Sequence, residues 1–407
     1  MKIGIIGAGA AGLMSAASAL EYGRVGDEVI LFEKNPKIGK KILITGGGRC
    51  NVTTGIRDIE EVLKKYPRGG KFLSFAMHEF SPLDMYKWVE KHNVKLKIED
   101  DKRVFPKSNN GEDIVGIFEK ILKDKRCKLL LNTPVNNIKS GKNKFIINSK
   151  FEVDKFILSV GGNAYSSTGS AGDGYVFAKK FGHTITPLAP SLHGFSIAEK
   201  WPKKLSGLSF SNAKIKLFAS KNHETILPFI FTHTGLSGPG VFVLSSLTAH
   251  EKLNDKKIRI DFLPGVSYEN LRAKIESDIK AHPNKKFTNT LDGFLQKSFA
   301  DAICIKTDIG LEKINSQVAK KDLNHVIEFL KNCELTISGN IPGEEFVTAG
   351  GISLNEVDNK TMESKKCPGM YFAGEILDID AFTGGFNLQA AFSTGYLAAL
   401  SLNSKVD

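Results

Sequence analysis

The chain has 407 residues, of which 41% are hydrophobic and 25% charged, and its formal net charge is +12. This composition is ordinary for a soluble globular protein of two or three domains, and no apolar run approaches the length of a membrane span. The five cysteines include no Cys-x-x-Cys pair, so we predict neither a metal site nor a disulfide framework, and we expect a reducing cytoplasm.

Residues 2–33 predict a strand, a glycine turn, a helix and a second strand. The turn reads Gly-Ala-Gly-Ala-Ala-Gly over residues 7–12, and Glu33 follows about 20 residues later. In this pattern Gly7 permits the tight turn, Gly9 lets a pyrophosphate approach the backbone, and Gly12 allows the helix to pack closely on the strand. Because the helix N-terminus attracts phosphate and Glu33 can accept hydrogen bonds from ribose hydroxyls, this unit predicts a bound dinucleotide.

A secretory signal peptide is the alternative interpretation of the same N-terminus. Lys2 precedes an apolar, Ala-rich run, as in such a segment. A signal peptide, however, needs neither the three glycines nor the matching strand and acid downstream.

A basic loop follows Glu33, with lysines at positions 34, 37, 40 and 41, and leads to the run Gly46-Gly47-Gly48-Arg49-Cys50-Asn51. Three consecutive glycines cost backbone entropy, and they make sense where main chain must lie against a flat or charged ligand. A plain surface loop is the alternative.

The next third of the chain mixes helices and short strands. Residues 56–125 are predicted to be mostly helical, with a strand pair near 95–98 and 103–105. Short strands follow at 128–131, 135–139, 144–148 and 155–160, with Asn143 as a turn residue. The last strand ends at Gly161-Gly162, and a helix then opens at Gly172 and runs through Lys180.

The pattern changes near residue 191. Residues 213–219 and 227–231 are strand-like, helical patterns follow at 238–249, 267–281 and 319–332, and no glycine phosphate motif occurs between 191 and 345. Sheet-like sequence then returns at Thr348, a buried strand ends at Gly374-Glu375, and Gly384-Gly385 leads into a helix from Phe386 to Leu400. We therefore predict that a second domain is inserted into a nucleotide-binding domain formed by both ends of the chain.

Several stretches of this sequence resemble the BaiN/YhiN-type family of NAD(P)/FAD-dependent oxidoreductases, in the glutathione-reductase-like flavoprotein group: residues 40–51, 231–239, 348–351 and 371–395. They occur in order and cover nearly the whole chain. The resemblance implies an α/β fold, with a discontinuous Rossmann-like FAD-binding domain at 1–190 and 346–407. It also implies an inserted β-barrel-like substrate domain at 191–345, with a helical portion at about 265–332.

The glycine turn and this resemblance together predict a tightly bound FAD. In the family the Gly161-Gly162 pair touches the cofactor, the backbone at Val135 lies beside the adenine, and the turn at Gly385 faces the pyrimidine edge of the flavin; a plain core role is the alternative for Val135. The predicted cofactor-binding residues are Gly7, Ala8, Gly9, Ala10, Ala11, Gly12, Glu33, Lys34, Lys40, Lys41, Thr45, Gly46, Gly47, Gly48, Arg49, Cys50, Asn51, Val135, Gly161, Gly162, Gly374, Glu375, Gly385, Phe386, Asn387 and Leu388.

The glycine turn before the last helix suits a flavin. Reduction gathers negative charge on the N1–C2=O edge of the isoalloxazine, and a helix N-terminus at residues 385–388 would offer N–H donors there. NAD as the tightly held cofactor would not explain this turn, so we expect NADH or NADPH to act as the electron donor instead.

We expect a cytoplasmic enzyme that transfers hydride between the nicotinamide donor and an organic substrate through flavin N5. Some members of the family are associated with reduction of C=C bonds in oxo-steroid intermediates, which makes an enone a possible substrate. Candidates for a proton donor are His233, Tyr165 and Lys107, although a lone histidine beside Thr and Gly is more often structural. Cys50 lacks a second cysteine nearby, which favours packing near the flavin over a redox role.

Partner predictions follow from the charge pattern. The basic residues are spread over the chain rather than gathered in blocks, which favours a solvated surface and a small-molecule substrate over nucleic acid. No membrane or protein partner is predicted. Two alternatives stay open: a flavoprotein that acts on or binds RNA, prompted by the charge, and a flavin-bearing regulatory protein without turnover.

Overall fold

A computed structural model of the chain describes residues 1–141, 144–343 and 345–403; Asn143, predicted as a turn residue, lies outside them. The strands are β1 Lys2–Ile6, β2 Glu28–Phe32, β3 Thr53–Thr54, β4 Leu96–Ile98, β5 Arg103–Pro106, β6 Cys127–Leu130, β7 Ile138–Ser140, β8 Phe145–Ile147, β9 Phe151–Val153, β10 Lys155–Leu158, β11 Ala189–Ser191, β12 Phe195–Ile197, β13 Ser209–Phe218, β14 His223–Phe231, β15 Gly235–Ser237, β16 Lys257–Asp261, β17 Cys333–Asn340, β18 Val347–Ala349 and β19 Met370–Phe372. The α-helices are α1 Ala10–Tyr22, α2 Lys40–Ile44, α3 Ile59–Leu63, α4 Gly70–Glu79, α5 Pro82–Lys91, α6 Glu112–Ile121, α7 Asp173–Lys180, α8 Pro239–Leu247, α9 Tyr268–Ala281, α10 Phe287–Asp292, α11 Lys297–Lys306, α12 Lys320–Asn332 and α13 Phe386–Ser401.

The chain forms two compact units. One comprises Met1–Ser191 and the C-terminal segment that begins at Glu345, and the other runs from Leu192 to the end of the inserted segment. Each unit has its own hydrophobic core. In the described ranges, none of the helices combines the length and the apolar character that crossing a membrane requires.

The first unit is built on a parallel sheet in the order β19-β10-β1-β2-β6. Central β1 is apolar because it is covered on both faces, and Ile5 lies opposite Ile157 of β10 and Leu31 of β2. Strand β19, from the C-terminal part of the chain, pairs with β10 in this same sheet. Both ends of the chain therefore build one Rossmann-like sheet, and the predicted fold class is confirmed.

Small residues bring the first and last helices together in this unit. An ideal Cβ on Gly395 of α13 would lie 2.4 Å from the carbonyl oxygen of Ala11 in α1. The hydroxyl of Ser15 donates to the carbonyl of Gly395 at 2.9 Å. This close packing fixes α13 on the same core as β1 and the glycine turn.

The second unit contains a closed barrel in the order β12-β15-β14-β13-β16-β17, and helices α8–α12 follow or separate its strands. The predicted strands at 213–219 and 227–231 lie within β13 and β14, and the three predicted helical patterns correspond to α8, α9 and α12. Helices α10 and α11 lie within the helical portion expected at about 265–332, whereas β12, β15, β16 and β17 were not predicted. The inserted barrel with helices is confirmed as part of the fold class.

The predicted strand at residues 135–139 is wrong over residues 135–137. Pairing begins only at Ile138, in β7. Pro134 has no N–H to give to a sheet, and the N–H of Asn136 donates to the side chain of Asn148 at 2.8 Å. Val135 therefore lies in irregular backbone rather than in a strand.

Candidate cofactor site

A cavity of about 490 Å³ lies in the first unit, where the strands of the parallel sheet end. Residues at or just after the carboxyl ends of four strands line it, namely Ile6, Gly7, Phe32, Glu33, Ser159, Val160, Ala373 and Gly374. Ligands of open parallel sheets bind at this edge, because the loops that follow the strands converge there. The fold thus places the predicted nucleotide motif at the wall of the cavity.

The glycine turn between β1 and α1 has the geometry that its sequence predicts. Gly7 has a φ of +100°, which only glycine adopts readily. An ideal Cβ on Gly12 would lie 1.8 Å from the carbonyl oxygen of Gly7, so this position serves the close packing of helix on strand and does not line the cavity. An ideal Cβ on Gly9 meets no atom within 4 Å, and Gly9 lines the cavity with Ala8, Ala10 and Ala11. The turn therefore leaves open space beside the N–H groups of the first turn of α1.

Glu33 is buried, and two main-chain N–H groups and one side-chain amide donate to its carboxylate. Oε2 accepts from the N–H of Ala8 at 2.9 Å, and Oε1 accepts from the N–H and the side-chain amide of Asn35 at 2.8 and 2.7 Å. A carboxylate has about four acceptor positions. With three donors on its carboxylate, Glu33 keeps acceptor capacity, and it lines the cavity.

Three lysines of the basic loop line the cavity. Lys34 forms an ion pair with Asp173 at 2.6 Å, and Lys40 donates to the side-chain oxygen of Asn35 at 3.3 Å. Lys41 forms an ion pair with Glu375 at 2.6 Å, and both side chains are largely buried. Lysines therefore contribute cations to this wall, which favour a bound pyrophosphate, although Lys34 and Lys41 are each paired with an acid of the same wall.

The triglycine run lies outside the cavity wall. Thr45 lines the cavity, whereas Gly46, Gly47 and Gly48 are exposed with left-handed φ values of +58°, +70° and +88°. Arg49 stacks over the ring of Phe105 at 3.8 Å, and the side chain of Asn51 accepts from the N–H of Val104. Residues 46–51 therefore do not line the cavity, although the N–H of Cys50 donates to the carbonyl of the lining residue Thr45 at 3.0 Å.

Cys50 lies in the same stretch and is fully buried. Burial raises the pKa of its thiol to about 12, against the smaller effect of a hydrogen bond with Thr45. The cysteines of the described ranges form no disulfide. A thiol that stays protonated is a poor nucleophile and a poor redox partner.

The remaining glycines of the predicted set divide into lining and packing positions. Gly161 and Gly374, both with positive φ, line the cavity. Gly162 does not, and an ideal Cβ there would lie 2.7 Å from the hydroxyl of Thr348. Gly385 caps α13 with a φ of +89°, and its Cβ would lie 2.4 Å from the carbonyl oxygen of Thr53. Gly162 and Gly385 are therefore required for packing.

The last helix reaches the cavity one residue beyond its start. Phe386 is buried, and its carbonyl accepts from the hydroxyl of Tyr66 at 2.7 Å. Asn387 and Leu388 line the cavity. Val135 also lines the cavity, together with its neighbours Pro134 and Asn136.

None of the three candidate proton donors lines the cavity. His233 is exposed on the second unit, and Lys107 is exposed after β5. Tyr165 belongs to the first unit, where its ring lies 5.8 Å from Nζ of Lys41 and 5.8 Å from the ring of Phe346. Tyr165 therefore lies beside two residues of the cavity wall.

Sequence reasoning missed part of the wall. Residues that line the cavity without having been predicted include Asn35, Ile42, Thr133, Ser170, Asp173, Val176, Phe346, Val347, Ile379 and Ala391. Asn35 could have been found from its place directly behind Glu33 in a turn-forming loop. The others come together only through the tertiary fold.

The comparisons with known proteins agree with this architecture. A family model described as the HI0933-like protein Rossmann domain matches residues 1–401. The chain is 30% identical over 406 residues to 3-dehydro-bile acid delta(4,6)-reductase of Clostridium scindens, with 98% of each chain covered. It is 28% identical over 409 residues to ribosomal RNA dihydrouridine synthase of Haemophilus influenzae, with the same coverage. A solved structure of Escherichia coli quinol fumarate reductase has a TM-score of 0.49 at 12% identity, covering 98% of this chain and 69% of that one, a likeness too distant for a functional argument.

Proposed function

We propose that this chain, which belongs to the HI0933-like Rossmann family, is an FAD-dependent reductase. Its reaction would saturate a C=C bond conjugated to a carbonyl group, with NADH or NADPH as the reductant. The membership confirms the resemblance to BaiN/YhiN-type proteins and makes the chain an oxidoreductase. The regulatory protein without turnover, which the sequence left open, is therefore set aside.

FAD fits the residues that line the cavity. The open space at Gly9 accommodates a pyrophosphate beside the N-terminus of α1, and the cations of Lys40 and Lys41 lie in the same wall. Glu33 suits the ribose of an adenosine, which FMN lacks. Bound FAD would supply hydride chemistry at N5 of its isoalloxazine.

The chain's own residues would bind and orient this cofactor. We assign adenosine contacts to Glu33 and Val135, and pyrophosphate contacts to the turn from Gly7 to Ala11. The N–H groups at Asn387 and Leu388, in the first turn of α13, would face the pyrimidine edge of the ring. For residues 46–51 a cofactor contact stays a prediction.

The chemistry named for the relatives supports one class of substrate. A 3-dehydro-delta(4,6) bile acid carries C=C bonds conjugated to a ring carbonyl. Dihydrouridine differs from uridine by two hydrogens across a C=C bond that is likewise conjugated to a carbonyl. Reduction of the C=C bond next to the carbonyl adds a hydride at the β-carbon and a proton at the α-carbon, and it oxidises one NAD(P)H to NAD(P)⁺. An enone is therefore the shared substrate chemistry, and a small enone is our first candidate.

Uridine within RNA is the second candidate, and the charge favours it. The net charge of +12 and the isoelectric point near 9.2 would attract a polyanion. Binding that weakens steeply with salt would support RNA.

We also propose that the inserted unit, with the barrel of β12–β17, supplies the substrate domain. It carries no glycine phosphate motif and has its own core, which leaves it free to vary with the substrate. Replacing it by the same unit of a relative should transfer substrate preference while FAD retention stays unchanged.

The deciding experiment is an anaerobic reduction of the FAD-loaded protein by NADH and by NADPH, followed by reoxidation with each candidate substrate. A 3-oxo-4-ene steroid, a simple cyclic enone and an unmodified ribosomal RNA transcript should be compared, with product mass as the readout. We expect a gain of two hydrogens in one class of substrate. A protein that fails to take up FAD under reconstituting conditions, or that transfers no hydrogen to any of the three, would contradict the proposal.

A further inference from the structure

A short segment, residues 65–69, holds the loop that precedes the last helix. We call residues 378–386 the closing loop, since they connect the turn after β19 to α13. The carbonyl of Lys65 accepts from the N–H of Phe382 in this loop at 2.9 Å. The hydroxyl of Tyr66 donates to the carbonyl of Phe386 at 2.7 Å.

The strongest contact joins Arg68 to Asp380 of the closing loop. The guanidinium forms a two-pronged ion pair, with Nε on Oδ1 and with Nη2 2.5 Å from Oδ2. The hydroxyl of Ser191 donates to Oδ2 at 2.8 Å. Asp380 has no exposed surface. A carboxylate so deeply buried is strongly destabilising unless it is paired, so the loop depends on Arg68.

One neighbour of Asp380 forms cavity wall, and the other is hydrogen-bonded to a residue that does. Ile379 lines the cavity, and it rests on Gly69, where an ideal Cβ would lie 2.6 Å from Cγ1 of Ile379. On the other side, Ala381 exchanges two hydrogen bonds with the side chain of Asn387, at 3.0 and 2.9 Å. Asn387 itself lines the cavity. Any displacement of Asp380 is therefore transmitted to Ile379 and to the first turn of α13.

We propose that Arg68 and Asp380 are positioning residues, which hold the closing loop and the N-terminus of α13 against the flavin ring. This inference rests on the proposed FAD function. N–H groups at a helix N-terminus stabilise developing negative charge only within about one turn, so a small shift of α13 changes the redox equilibrium of a flavin at its edge. The pair touches no substrate and acts only through the loop.

The test compares Arg68→Lys and the double variant Arg68→Met with Asp380→Leu. Lysine keeps the charge but cannot form the fork. The double variant removes both charges and should recover most of the thermal stability lost in Arg68→Met alone. Arg126→Met is the control, because Arg126 pairs with Asp124 away from the cavity. The readouts are the FAD dissociation constant, the midpoint potential of bound FAD, and kcat and KM separately.

We expect Arg68→Lys and the double variant to shift the ratio of reduced to oxidised flavin about tenfold at a fixed potential, which is about 30 mV for a two-electron couple. We expect kcat to fall about tenfold with little change in KM, and the control to match the wild type. Potentials equal to that of the wild type, in variants that bind FAD and lose only thermal stability, would overturn the inference. The potential needs no substrate, so an error in the proposed substrate leaves this test valid, whereas a wild type without FAD would refute the proposed function itself.

Discussion

Glu33 accepts a hydrogen bond from the main-chain N–H of Ala8, at 2.9 Å. The acid at the end of β2 and the glycine turn after β1 are therefore fixed to each other by a direct bond. The predicted ribose acceptor and the predicted phosphate turn are thus held in a fixed relative position, although they lie far apart in sequence.

The first prediction concerns this acid. Glu33→Ala removes the ribose acceptor and also leaves the N–H of Ala8 without its partner. A lost hydrogen bond to a charged group costs roughly 1.5–3 kcal/mol. FAD affinity should therefore fall about tenfold to a hundredfold, as measured by calorimetry. The exposed Glu28 of the same strand provides the control variant, Glu28→Ala, and equal affinities in the two variants would remove Glu33 from the site.

The second prediction separates two glycines of one turn. Gly9→Ala places a methyl group in open space, so the fold should persist while FAD binding weakens at least tenfold. Gly12→Ala drives a methyl group against the carbonyl of Gly7, and it should destabilise the protein by roughly 1–3 kcal/mol or more. Thermal unfolding without FAD and FAD titration measure the two effects. A Gly9→Ala protein with full affinity would argue against a pyrophosphate at this turn.

The third prediction concerns charge at the start of α13. Gly385→Asp should lower the flavin midpoint potential or abolish FAD binding, and its clash with Thr53 makes loss of binding the expected result. Leu388→Asp offers a cleaner test, because Leu388 lines the cavity and, unlike Gly385, already carries a Cβ. The added negative charge should oppose reduction and lower the midpoint potential. Leu388→Asn is the matched uncharged control, and identical potentials in the Asp and Asn variants would show that the flavin edge lies elsewhere.

The fourth prediction concerns acid stability. Burial raises the pKa of Glu356, but hydrogen bonds from Lys366 and from the backbone and hydroxyl of Thr184 outweigh it and hold the pKa at about 2. This value lies below the ordinary 4.5, so the stabilisation is present above pH 4.5 and is lost as the pH falls toward 2.

His183 adds to the same trend from a higher pH. Its ring lies 3.2 Å from Glu356, and burial lowers its pKa below the ordinary 6.5 even though that carboxylate acts in the opposite direction. Because His183 binds a proton less readily in the folded state than in the unfolded state, the free energy of unfolding decreases as the pH falls below 6.5. Urea unfolding at a series of pH values should therefore show stability declining from pH 6.5 downward. In Glu356→Gln the decline between pH 4.5 and 2 should be shallower, and an unchanged slope would show that Glu356 does not control it.

Sequence reasoning succeeded where the signal is local. The turn from Gly7 to Gly12, with its flanking strands and Glu33, needs only short-range patterns, and it was predicted with its full geometry. The barrel was harder to predict, because β16 and β17 pair across the long segment that separates them in the sequence. Their apolar residues alternate over too few positions to be told from other short strands.

The site was predicted unevenly for the same reason. Gly162 and Gly385 belong to glycine-rich motifs, yet a motif cannot tell whether a missing side chain makes room for a ligand or for another backbone. Asp173 and Ile379 carry no local signal at all, because their place at the cavity depends on loops that meet in three dimensions.

The position of β19 at the edge of the parallel sheet has a consequence for biosynthesis. Its residues, 370–372, are synthesised after the whole barrel. Their partner strand β10 ends at residue 158 and is therefore synthesised long before them. Throughout that interval β10 presents an unpaired edge to the cell, which is a template for association with other chains. The nascent protein therefore has its greatest need of a chaperone while its second half is being translated, and a ribosome that stalls before residue 370 would release an aggregation-prone fragment.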